Sequence, residues 1–121
     1  MAGSDVQSTY ITADTVVLDA DGITTSASLS GAGTLTINGT LASTGTVTLS
    51  SGRQVTITSA GNDTGVTFTV TGTDVNGAAQ TEAITGASGA AATSTKYFKT
   101  ITEIANSAAS AGAVTAGINA L

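Results

Sequence analysis

Eight carboxylates, three basic side chains and many hydroxyls are all the chain offers for chemistry, since its 121 residues include no histidine and no cysteine. Without imidazole or thiol there is no Ser-His or Cys-His nucleophile, no zinc site of the usual ligand type, and no side chain that ordinarily titrates near neutrality. Three options remain: an amine-activated hydroxyl, a carboxylate pair, or an oxygen-ligand cation site. Lys96 and Lys99 lie near Ser94 and Thr95, but the spacing is not Ser-x-x-Lys and nothing orients an amine on a hydroxyl, so solvated lysines are expected. Glu82 and Glu103 would act as a pair only if strands brought them together in a cleft, and no pattern predicts one.

The run Asp19-Ala20-Asp21-Gly22 starts like a calcium loop. A full loop needs a third oxygen ligand, a glycine at its sixth position and a glutamate at its twelfth, where this chain has Ile23, Thr24 and Ser30. A looser site could draw on Asp14, Asp19 and Asp21, or on Asp63 and Asp74. The commoner role of such residues is turn formation. Gly31-Ala32-Gly33 has no Lys-Ser/Thr after it and no helix to open, so it reads as a turn rather than a phosphate cradle. Asn38-Gly39-Thr40 and Asn62-Asp63-Thr64 fit the glycosylation sequon but fall at turn signals. The sequence therefore predicts no catalytic residue, no cofactor and no metal.

Composition narrows the partners. A net charge of -5 with one Arg and two Lys leaves no basic patch to neutralise phosphates, so no nucleic-acid partner is expected. No apolar run approaches the roughly 20 residues that cross a bilayer as a helix. The first five residues show neither a basic nor an apolar signal region, so no cleaved secretory leader is expected in the chain as given. Charged residues make up 9% of the chain, against about 25% in an ordinary soluble domain, so hydroxyls or neighbouring molecules must cover much of its surface. Aromatic residues are 3%, so the core must be built from Val, Ile, Leu and Ala. Lacking disulfides, so small a domain has oligomerisation as its common route to extra stability.

The elements that would position these groups are strands. Leu35 and Ile37 alternate with Thr34 and Thr36, Val47 and Leu49 with Thr46 and Thr48, and Val55 and Ile57 with Thr56 and Thr58. The clearest case is Val66 to Thr71, with Val66, Phe68 and Val70 on one face and three threonines on the other. Threonine fits a pleated surface while keeping its hydroxyl wettable, so a threonine face can replace a charged one. Turn signals at Asp21-Gly22, Gly31 to Gly33, Asn38-Gly39, Ser51-Gly52, Gly61 to Asp63 and Asp74 to Gly77 separate the strands, and Asn38-Gly39 is the strongest hairpin signal. Ser94 to Asn106 also fits helical spacing through Tyr97, Ile101 and Ile104, but its β-branched content favours a strand. Gly86 to Ala92 and Ser107 to Gly112 read as small-residue loops or close-packing segments with little intrinsic order, with alternation resuming at Val114, Ala116 and Ile118.

The Thr-x-Thr pairs at 34/36, 46/48, 56/58 and 67/69 invite comparison with flat ice-binding β-helices. Their separations of 12, 10 and 11 residues are too irregular for a stacked solenoid. Turns every 8 to 12 residues or so predict instead an all-β chain: a single small antiparallel β-sandwich or jelly-roll-like domain, with a partly open barrel as the competing topology. The domain is expected over residues 22–121, preceded by an extended N-terminal arm over residues 1–21. Val6, Tyr10, Ile11, Val16, Val17 and Leu18 in the arm are the candidate partner-binding residues, because they need an apolar surface in this chain or in a neighbour.

The run Arg53 to Gly77, continued by Gln80-Thr81-Glu82 and Thr93 to Thr100, resembles a group of tailed-bacteriophage structural proteins, and Ala20 to Ile23 and Gly33 to Gly39 fit the same pattern. The resemblance spans about residues 20–118 and carries no catalytic signature. It implies a non-enzymatic virion component on the capsid exterior, of the capsid decoration or cement type, that bridges major capsid protein subunits as a homo-oligomer, a trimer by analogy. The alternative it implies is a head-fibre or tail-fibre module that binds a host-surface glycan.

Overall fold

The computed structural model describes residues 19–119. Residues 1–18, with Asp14 and the six candidate residues Val6, Tyr10, Ile11, Val16, Val17 and Leu18, lie outside the described residues. The described residues form ten strands and no helix: β1 (Asp19–Ser28), β2 (Gly33–Thr34), β3 (Ala42–Ser43), β4 (Thr46–Arg53), β5 (Val55–Ser59), β6 (Thr67–Thr73), β7 (Ala79–Thr85), β8 (Ala91–Thr93), β9 (Phe98–Asn106) and β10 (Ala113–Ile118). They make two antiparallel sheets packed as a small sandwich, in keeping with the expected fold. One sheet runs β3-β4-β9-β6-β7, with β2 also paired to β9, and the other runs β1-β10-β5-β8.

The alternation in the sequence decides which side chains meet between the sheets. Val47, Phe68, Val70, Ile101 and Ile104 of the six-stranded sheet are fully buried, as are Ile23, Val55, Ile57, Val114 and Ala116 of the other. Each such Val, Ile or Phe contributes about 1.5–3 kcal/mol by leaving water. The chain passes between the sheets at every connection except β2–β3, β3–β4 and β6–β7. The sharpest passage is Gln54, the single residue between β4 and β5. Its side-chain amide donates to Ser94 O at 2.9 Å, and its carbonyl accepts from Asn119 N at 2.9 Å.

Several expectations need correcting. Asn38-Gly39 is not a hairpin: both N–H groups donate to Ile23 O, at 3.0 and 2.9 Å, and the Asn38 side chain accepts from Thr25. The loop is held against β1, so its peptide groups serve another strand instead of closing a two-residue turn. The two-residue hairpin is Thr44-Gly45, where both residues have positive φ (51° and 81°), as such tight turns require. Of the Thr34 to Ile37 pattern only Thr34 is strand, the end of β2. Ala91 and Ala92, in a stretch expected to be a loop or a close-packing segment with little intrinsic order, form part of strand β8 and pair with Thr58 and Ile57. Thr56 does not present a wettable face: it is buried, and its hydroxyl has no partner among the described residues. Thr24 is buried too, but donates to Thr36 O at 2.9 Å.

A candidate docking face

Strand β6 has a core side and an outer side. Phe68 and Val70 point inward, so Thr67, Thr69, Thr71 and Thr73 line the outer face of the six-stranded sheet. Pairing extends this row on both sides. Thr67 lies opposite Thr85, Thr69 opposite Ala83, Thr71 opposite Thr81 and Thr73 opposite Ala79 on β7. On β9, Thr73 meets Thr100, Thr71 meets Glu103 and Thr69 meets Ala105. Thr48 of β4 and Thr34 of β2 continue the rows beyond Thr100 and Ala105. Across these rows the surface is mostly methyl and hydroxyl; Glu103 is the one charged residue in them, and Lys99 sits half-buried beside Thr100. Thr73 and Thr100 share a hydroxyl–hydroxyl bond of 2.6 Å, which fixes both rotamers. A face so poor in charge gives up little hydration on contact, and its β-branched side chains have little rotamer freedom to lose.

The face is interrupted at Thr102 and Glu103. On the β6 side, Ile101 pairs with Gly72 and Glu103 with Thr71, so β9 has one residue too many: a β-bulge. On its other side β9 pairs with β4 as far as Ile101 and with β2 only from Ala105. The bulge and the gap coincide in an open notch of about 290 Å³ lined by Thr34, Leu35, Ile37, Gly45, Thr102 and Glu103. Leu35 is buried and Ile37 half-buried, giving an apolar floor beneath a polar rim.

The other candidates separate. Glu82 lies opposite Val70 and Glu103 opposite Thr71, and neighbouring residues of β6 point to opposite faces, so the sheet stands between the two carboxylates. Glu82 instead accepts from Thr95 N and Lys96 N, both at 2.8 Å, and from the Thr95 hydroxyl. Burial opposes its ionisation, but these hydrogen bonds and the Lys96 charge outweigh burial and hold its carboxyl below the ordinary value. Lys96 donates to Thr81 O, while the buried Ser94 hydroxyl accepts from Val55 N and donates to Lys96 O, so no amine reaches that hydroxyl. Asp63 and Asp74 bracket the seven-residue β6, which puts them about 20 Å apart. Asp74 caps the β6–β7 hairpin by accepting from Asn76 N and Ala78 N. Asp63 is buried and accepts from Ala111 N at 2.6 Å. Among the described residues no group of three acidic side chains is placed to hold a metal.

Sequence reasoning missed Arg53. It is 7% exposed, faces Phe98 in the β4–β9 ladder, and its Nε and Nη1 have no partner among the described residues. Only its place at the Ser51-Gly52 turn signal, beside a β pattern, marked it in the sequence.

The chain matches no protein-family model, no curated protein and no solved structure.

Proposed function

We propose that the chain is a non-enzymatic structural protein of a tailed-bacteriophage virion. In this reading it is a capsid decoration or cement protein on the head exterior that bridges major capsid protein subunits and acts as a homo-oligomer. The observation that carries the reading is the threonine face of the six-stranded sheet, broad and poor in charge. A cement protein works by burying surface against neighbours, and each copy gains stability through association. The apolar side chains of residues 1–18 would supply a second attachment, by adding to a strand edge or lying across a neighbouring subunit.

The test is particle chemistry. Virions produced from the genome that encodes the chain should contain it, with electron microscopy placing it on the head. Purified protein should co-sediment with particles that lack it and raise the temperature at which heads rupture. Deleting residues 1–18 should abolish that binding while leaving the sandwich folded. Absence from virions, or a position on the tail, would overturn the reading.

A further inference from the structure

We propose that the notch at Thr102 and Glu103 is a socket for a lysine side chain of a partner protein. The inference deepens the reading of the threonine sheet as a docking face, and it rests on that reading. Three features converge. First, the bulge between Ile101 and Glu103 places two successive exposed residues of β9 opposite one residue of β6, which re-aims their side chains at the point where the flanking strand is missing. Second, the notch is open and shallow, with a volume of about 290 Å³, which leaves room for one long side chain to lie in it. Third, the lining grades from apolar to acidic: Leu35 and Ile37 form the floor, Thr34 and Thr102 stand beside them, and Glu103 is the carboxylate.

This gradient complements a lysine, whose methylene stem packs on apolar surface while its ammonium stays at a polar rim. The Thr102 hydroxyl donates to Thr71 O at 3.2 Å, which leaves its lone pairs free to accept from the ammonium. The chain's own cations are placed elsewhere. Lys96 Nζ is held by Thr81 O, Arg53 is buried at the end of β4, and Lys99 lies four residues back along β9, about 13 Å away. A single carboxylate on a face poor in charge sets the register of docking more than its strength.

The probe is N-acetyl-lysine methylamide, titrated into the full chain while backbone amide NMR shifts are followed. Its uncharged counterpart, N-acetyl-norleucine methylamide, is titrated in parallel. The lysine amide should produce saturable shifts confined to Leu35, Gly45, Thr102, Glu103 and their neighbours, the norleucine amide should not, and Glu103→Gln should weaken binding about tenfold. Shifts that fail to saturate, equal binding of the norleucine amide, or undiminished binding to the Glu103→Gln variant would each overturn the socket. None of these results depends on whether the chain enters a virion, so failure here is distinct from failure of the particle test.

Discussion

Thr71 and Glu103 face each other across the β6–β9 ladder, with Thr102 left over between that pair and the preceding pair of Gly72 and Ile101. The irregularity is held from both strands. Thr102 donates its hydroxyl to Thr71 O, and Gly72 lies so close to Thr100 O that a Cβ there would collide with the backbone. Thr102→Val keeps the β-branched shape and removes the bond, so it should cost about 0.5–1 kcal/mol in urea denaturation. Gly72→Ala should cost more than about 2 kcal/mol, because rigid backbone must shift. If the two variants prove equally mild, the bulge is not pinned this way.

The Thr44-Gly45 turn carries removable strain. Thr44 has a φ of 51°, in the left-handed region that a β-branched residue adopts only at a cost. Asparagine tolerates that region, so Thr44→Asn should stabilise the chain by about 0.5–1 kcal/mol, read as a higher midpoint of thermal or urea unfolding. Thr44 is exposed and its hydroxyl donates only to the adjacent Ser43 O, so little else is lost. An unchanged or lower midpoint would mean that the turn is not strained at Thr44.

The strands were legible where alternation ran unbroken. Val66 to Thr71 and the Val114, Ala116, Ile118 pattern announced β6 and β10, and Asp74 to Gly77 announced the hairpin after β6. The breaks in pairing were not legible. Asn38-Gly39 has the composition of a hairpin, yet its N–H groups are taken up by Ile23 O of β1, fifteen and sixteen residues away. The threonine face could be foreseen in outline from the alternation. The notch could not, because it depends on where β4 stops and β2 starts along β9, and that register belongs to the assembled sheet. Glu103 was visible only as one carboxylate among eight.

Glu82 should contribute to loss of stability in acid. Its carboxyl is held below the ordinary value of 4.5 in the folded chain, so its contribution is fully present above that value and is lost as pH falls through the folded one. Glu82 is only half-buried, so solvent screening limits the contribution to less than about 1 kcal/mol. The stability difference between the parent chain and Glu82→Gln should therefore be present at neutral pH and shrink as the pH falls below the ordinary value of 4.5. A difference that stays constant over that range would show that the carboxylate charge plays no part in holding Thr95 and Lys96.

Arg53 gives the boldest of these expectations. Arg53 is 7% exposed, and two of its guanidinium nitrogens, Nε and Nη1, lack acceptors among the described residues, so their lost hydration is not fully replaced there. Replacing a poorly compensated buried charge by an apolar side chain of similar length often stabilises a protein, by about 1–4 kcal/mol. Arg53→Met should thus raise the unfolding midpoint, since methionine can follow the same path past Phe98 and adapt to the space. Arg53→Ala should lower it, because truncation leaves a cavity in the packed interior. The two substitutions separate charge from volume: a gain with Met and a loss with Ala identify the guanidinium itself as the destabilising group. A loss with both would instead mean that the guanidinium contributes to the stability of the fold.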